Sequence, residues 1–179
     1  MALTRLTHNG YGQVELNNVA FRRDGRIEAQ CKPNATDFET AKVENGMILA
    51  VDNVKREVKL AKDEKLPVAL VYSTEHMYDE RANGLKDFAL NGTGDFLPRL
   101  GYLAVGDKFH TNAVGFNSGV TEDDLTKIAA TPLYGVPCEE GFIKVQKEAT
   151  AYCGVLLQVV ENATMPDGQK GLKFQVIKA

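Results

Sequence analysis

The stretch KVENGMILAVDNVKREVKLA, residues 42–61, decides the fold class. Asn-Gly at 45–46 is a turn signal, because both residues tolerate a positive φ. The apolar run 47–51 has the length of a strand, and Asp-Asn at 52–53 predicts the next turn. Residues 54–60 then alternate with a period of two, which predicts a strand with one solvated face. The other face would carry Val54, Arg56, Val58 and Leu60. So short a connection predicts antiparallel neighbours.

The same pattern recurs along the chain. Short runs rich in β-branched and aromatic residues alternate with Gly-, Asn- and Pro-rich turns. They predict strands at 66–74, at 102–116 (a strand, a turn at Gly106-Asp107 and a return strand), at 141–148, at 151–162 and at 172–179. Strands at such intervals predict a mainly β fold, a compact antiparallel β-barrel or sandwich.

One segment, at about residues 121–130, predicts a short helix. Thr121 is a favourable N-cap, Asp124 follows three residues later, and acidic side chains suit the positive end of a helix dipole. Pro132 would end the helix. An apolar stripe would be formed by Leu125, Ile128 and Ala129.

The domain organisation follows from two segments that fit neither pattern. Residues 1–17 are polar and rich in Asn and Gly, which predicts an extended N-terminal arm. Residues 18–179 then form a single β-rich domain, in keeping with the size of the chain. Within it, residues 75–99 form a connection longer than the ~12–15 residues usual in compact domains, and such connections are often functional.

Charge and composition disfavour several functional classes, although a local basic patch stays possible. The formal net charge of −3 disfavours direct nucleic-acid binding, which needs a basic face. No apolar window reaches the length of a signal peptide or a membrane span, so we expect synthesis in a cytoplasm and no membrane insertion. Three widely spaced cysteines indicate neither a disulfide framework nor a cysteine metal site.

A search for catalytic chemistry predicts none. The three histidines have no second ligand at a recurring metal-binding spacing. Cys138 precedes Glu139 and Glu140, and adjacent acids disfavour the thiolate that a nucleophile needs. We therefore expect no catalytic, cofactor-binding or metal-binding residues, and a protein that is not an enzyme.

Four stretches carry a resemblance to a known family: VENGMILAVD at 43–52, VKREVKLA at 54–61, LVYSTEHMYDERANGLKDF at 70–88 and FLPRLGYLAVGDKFHTNAV at 96–114. Their order resembles that of head-decoration and related capsid-stabilising proteins of tailed bacteriophages that infect Gram-positive bacteria, which are encoded beside the major capsid protein. The shared order is a turn and strand, a second strand, an aromatic Asn-Gly connector and a hairpin. The likeness covers roughly residues 42–116.

The resemblance implies a non-enzymatic virion protein that binds the assembled head, contacts the major capsid protein and stabilises the shell. It would be made in the host cytoplasm and lie on the capsid surface. Homo-oligomers of the protein on that surface are compatible with this role. The arm and the 75–99 connector are the candidate interface, with residue types enriched at interfaces. The candidate residues are Leu3, Leu6, Tyr11, Tyr78, Arg81, Phe88, Phe96 and Arg99. Alternatively, the connector aromatics cap the barrel.

Two other functions stay open. A tail-tube or head-completion subunit would close rings through sheet-to-sheet contacts and long loops. A small-ligand-binding or enzymatic β-barrel would need a pocket of several hundred Å³ with convergent polar groups. Such a pocket would have to form around His76 or His110, with two carboxylates.

Overall fold

The computed structural model describes residues 5–6, 12–62, 65–73 and 97–179. These are 42% strand and 7% helix, which confirms a mainly β fold. In chain order the elements are β1 (Val14–Asn18), α1 (Ala20–Asp24), β2 (Ile27–Glu28), β3 (Lys32–Pro33), β4 (Ile48–Asp52), β5 (Glu57–Lys59), β6 (Val68–Val71), β7 (Leu100–Gly101), β8 (Lys108–Thr111), β9 (Val114–Phe116), α2 (Glu122–Thr126), β10 (Tyr134–Pro137), β11 (Ile143–Gln146), β12 (Leu156–Thr164) and β13 (Lys170–Lys178). Neither of these helices has the length and apolarity needed to cross a bilayer.

The strands form two sheets. The seven-stranded sheet has the order β1-β8-β13-β12-β10-β11-β9, and the six-stranded sheet has the order β2-β7-β6-β4-β5-β3. Most neighbours are antiparallel, as predicted. Two pairs, β9 with β11 and β3 with β5, are parallel, so both sheets are mixed and a purely antiparallel architecture is wrong.

A first core is shared by the two sheets. The seven-stranded sheet contributes Phe109, Leu157 and Phe174, all completely buried. The six-stranded sheet contributes Ile48 and Leu70 to the same cluster. The apolar side of each sheet is thus removed from water by the other, and this burial is the dominant favourable term in folding.

A second core covers the opposite face of the six-stranded sheet. Leu49 and Val51 of β4 point into it, whereas Ile48 and Ala50 point into the first core. The second core is closed by a stretch with little regular structure, from which come Cys31, Phe38 and Val43. A strand with two buried faces reads as a continuous apolar run, and residues 47–51 show that run.

The strand predicted at 54–60 is wrong in its first half. The Asp52 carboxylate accepts the N–H of Lys55 at 2.9 Å, which closes a local turn. Arg56 adopts a left-handed conformation with φ 57°. The turn places Val54 in solvent, 95% exposed, and β5 begins only at Glu57. Downstream the predicted pattern holds.

The hairpin predicted within 102–116 is also wrong. The turn at Gly106 forms, with φ 95°, but β7 belongs to the six-stranded sheet and β8 to the seven-stranded sheet. The connection therefore crosses between sheets. Asp107 fixes this crossing, because its carboxylate accepts the N–H of Ala20 at 2.7 Å and that of Ala104 at 2.8 Å.

The predicted helix exists but is shorter than expected. It runs only over Glu122–Thr126, and Thr121 and Asp124 form a reciprocal capping box. Leu125 is buried and Ile128 packs partly on the first core, whereas Ala129 is exposed. A second five-residue helix, α1, was not predicted; it carries no side-chain N-cap and buries Phe21.

We expect Thr121→Ala to lower the free energy of unfolding by about 1 kcal/mol, the usual cost of a lost N-cap. The Thr121 hydroxyl and N–H both donate to Asp124 at 2.8 Å and hold the pKa of Asp124 at about 2. Since that pKa is depressed below its unfolded value, the stabilisation is present above pH 4 and is lost as pH falls towards 2. Urea unfolding at pH 7 and pH 2.5 measures both effects.

The matched control for this prediction is Asp123→Asn in the same helical turn, since Asp123 is exposed. Its unfolding midpoint should change little at either pH. If Asp124→Asn loses stability between pH 4 and 2 as steeply as the parent chain, the capping box does not cause the pH dependence.

Candidate functional site

The structure describes two of the eight predicted interface residues. Leu6 is only 7% exposed and packs in the first core, so its side chain contributes to the chain's own interior. Arg99 is exposed and precedes β7, where its N–H donates to the Ser73 hydroxyl at 2.7 Å. The other six lie outside the described residues: Leu3, Tyr11, Tyr78, Arg81, Phe88 and Phe96.

The described part of the predicted arm lies at both edges of the seven-stranded sheet. Arg5 forms an antiparallel bridge with Gly115 of β9, and the Leu6 N–H donates to the Val114 carbonyl at 3.0 Å. We call Arg5 and Leu6 the N-terminal strap. Further along, residues 14–17 of the predicted arm belong to β1, which pairs with β8. The arm is thus partly incorporated into the sheet.

Glu44, in the turn before β4, connects the strap to the next described residues. Its carboxylate lies 3.6 Å from the Arg5 guanidinium and accepts the Gly12 N–H at 2.6 Å. Gly12 fits because a Cβ there would lie 2.6 Å from the Asn45 carbonyl oxygen. Burial lowers the pKa of Arg5 and Glu44 opposes that shift, while an arginine stays protonated at any ordinary pH.

The Arg5 side chain also makes an aromatic contact. Its guanidinium carbon lies 3.7 Å from the ring centroid of Phe142, within the range of a cation–π interaction. Phe142 is partly buried against the second core. The strap therefore joins the edge of one sheet to side chains that pack on the other.

Two adjoining grooves open next to the strap. The larger has a volume of about 350 Å³, and its walls come from the end of β10, from β11 and from the segment before β12. The smaller, about 220 Å³, lies between β9 and the strap and includes Arg5 and Phe142. Cys138, Glu140 and Lys144 line both grooves.

Cys138, the one thiol in the grooves, is unsuited to nucleophilic chemistry. Burial, together with a hydrogen bond to the Glu140 side chain, raises its pKa to about 12. The same hydrogen bond lowers the pKa of Glu140. A thiol that stays protonated is a poor nucleophile.

His110 lies on β8, away from both grooves. Its Nδ1 is 3.2 Å from the Asn17 side-chain oxygen of the neighbouring strand β1. Burial lowers the pKa of His110; the Glu15 carboxylate opposes this shift, and the Lys173 ammonium adds to it. His76, the other histidine considered from the sequence, lies outside the described residues. Within 5–6, 12–62, 65–73 and 97–179, no three His, Cys, Asp or Glu side chains are grouped to hold a metal ion.

Sequence reasoning missed the grooves. Their shared residues come from the turn after β10 and from the outward-facing positions of β11, which looked like an ordinary solvated strand. The available signal was the alternation in residues 143–146, where Ile143 and Val145 are buried and Lys144 faces outward. Comparison with family models, curated proteins and solved structures finds no match to this chain.

Proposed function

We propose that the protein is a non-enzymatic structural component of a tailed-phage virion, a capsid decoration (cement) protein that binds the assembled head. In this proposal, the two sheets form a compact β-barrel or sandwich. The phage assignment is supported by the resemblance over residues 42–116, which includes the turn before β4 and the crossing at Asp107.

The observation that carries the non-enzymatic part is what the buried polar groups do. Asn45 donates to the Ser73 carbonyl at 3.0 Å, Asp107 holds two backbone N–H groups, and Gln146 donates to two carbonyls after β11. Each of these contacts pins a turn or crossing of the scaffold. Buried polar groups that bond to the backbone in this way favour one structure, and this use in the scaffold supports a structural role.

The proposed function depends on a rigid fold and on the outer surface that this fold presents to capsid subunits. A decoration protein adds buried area between capsid subunits that are already assembled, so the shell resists the pressure of packed DNA. A standard interface buries about 1,600 Å², and many copies on one shell raise the effective concentration of each contact. Arg99 is the described residue of the predicted interface that remains exposed, and it lies where the 75–99 connector meets β7.

The test is binding to shells and to free capsid subunits. Purified protein is mixed with empty heads or with unassembled major capsid protein, and co-sedimentation is measured. We expect saturable binding to heads and little binding to free subunits. Tight binding to subunits with none to heads would contradict the proposal.

A charge-reversal pair sharpens this test. Arg99→Glu should weaken head binding, whereas Lys178→Glu, with the same charge change on an exposed residue at the end of β13, should leave it unchanged. Rings or tubes formed by the chain alone would instead identify a tail-tube or head-completion subunit. A ligand retained in the 350 Å³ groove would identify a binding β-barrel.

A further inference from the structure

The strap contacts β9 through two consecutive residues. Arg5 bridges Gly115, and the Leu6 N–H donates to the Val114 carbonyl. Leu6 enters the first core, and the Arg5 guanidinium lies over Phe142 and beside Glu44. These two residues therefore combine backbone, apolar and cationic contacts at one place on the protein.

The receiving site, which we call the strap slot, is formed by residues distant in the sequence. It consists of the β9 backbone at Val114 and Gly115, the ring of Phe142 and the carboxylate of Glu44. An edge strand offers backbone groups to any extended segment, and side-chain pockets decide which segment fits. The strap slot fits a segment in which an arginine is followed directly by an apolar residue.

We propose that the strap slot also accepts the same two residues from a second copy of the chain, so that neighbouring copies exchange their straps. The contacts in the slot are the same whichever chain supplies them, which is the condition that makes segment exchange inexpensive. Five residues, 7–11, separate Leu6 from Gly12, which is anchored on Glu44. They limit the reach of an exchanged strap to about 20 Å, so exchange joins only adjacent copies.

The balance between the closed and the exchanged form depends on concentration. A segment on a short tether has an effective concentration of the order of millimolar for its own slot. The closed form therefore prevails in dilute solution, and exchange becomes competitive where copies are crowded to a similar density. This inference does not require a capsid, because any dense array of the chain would meet the condition.

The first experiment supplies the strap as a separate molecule. A variant lacking residues 1–6 is titrated with a fluorescent peptide of residues 1–11, and binding is followed by anisotropy. We expect saturable, weak binding. A peptide with Leu6→Ala should bind about tenfold more weakly or worse, since the burial of a leucine side chain is lost. With Arg5→Ala, which removes the contact with Phe142 and the ion pair with Glu44, the loss should be about two- to fivefold.

A second experiment uses the full chain and does not depend on the folding of the truncated variant. Heavy-isotope and normal chains, both carrying photo-leucine, are mixed and irradiated at about 10 µM and about 1 mM. We expect cross-links from Leu6 of one isotope to core residues of the other at the higher concentration, and only intrachain links at the lower.

The outcomes separate this inference from the proposed function, because no shell is present in either experiment. A folded truncated variant that does not bind the peptide overturns the exchange. Solely intrachain links from Leu6 at 1 mM overturn it as well. Failure to bind heads, by contrast, would leave both of these results unchanged.

Discussion

Replacement of Phe174 by alanine is expected to lower the free energy of unfolding by about 3–5 kcal/mol, as is usual for a large aromatic side chain in a core. Phe174 lies on β13 and is completely buried. Its ring centroid is 5.9 Å from that of Phe109 on the neighbouring strand β8. Small domains have only about 5–15 kcal/mol of stability, so this loss is a large part of the total.

Chemical denaturation of the Phe174→Ala variant measures the effect, with Val54→Ala as the matched control. Val54 is also an apolar residue, but it is 95% exposed, and its replacement should change stability by less than about 0.5 kcal/mol. Equal small losses for both variants would mean that the first core is not packed around Phe174.

Gly46→Ala is the second change with a large expected effect, a loss of about 2–5 kcal/mol. Gly46 has φ 87°, a conformation that costs a residue with a Cβ about 1–2 kcal/mol. A Cβ at this position would also overlap the Thr111 hydroxyl and lie 2.9 Å from the Thr111 Cβ. Overpacking adds about 1–3 kcal/mol.

Thr111 has little freedom to move away from such a Cβ. It is completely buried, and its hydroxyl donates to the Gln13 carbonyl and accepts the Ala113 N–H at 3.0 Å. The control is Gly106→Ala, because Gly106 has a similar φ of 95° and no atom within 4 Å of its added Cβ. The difference between the two variants in thermal or urea unfolding isolates the overlap with Thr111. No difference would contradict this account.

Strands with a strong pattern could be predicted from the sequence. The apolar runs of β4 and β6 and the alternation of β13 were each strong enough to be correct, because the two cores bury the side chains that the patterns indicate. The Thr121 cap was also correct, since a capping box depends on residues only three positions apart. These predictions were correct because each signal lies within the strand or helix that it predicts.

The features that were missed have three different causes. Nothing near residues 102–107 shows that Asp107 binds Ala20 and thereby leads the chain into the other sheet. Helix α1 has no side-chain N-cap, and its five residues are too few for a periodic signal. The turn at Asp52 competed with an alternating pattern and prevailed, because the carboxylate satisfies a backbone N–H locally.

For the candidate interface, the sequence indicated suitable residue types but not where the fold places them. Residue type indicated surfaces for contact, but Leu6 lies in the core because its main chain is bonded to β9, a partner over a hundred positions away. The grooves beside it arise where β9, β10 and β11 meet, and single-sequence patterns do not reveal which strands become neighbours.

The three cysteines have a consequence for where such a fold can persist. All are free and buried: Cys31 belongs to the second core, Cys153 to the first, and Cys138 lines the grooves. No covalent cross-link holds this structure together, and shielded thiols with a raised pKa, as at Cys31 and Cys138, react slowly with oxidants. We expect the fold to tolerate both a reducing cell interior and air-saturated surroundings.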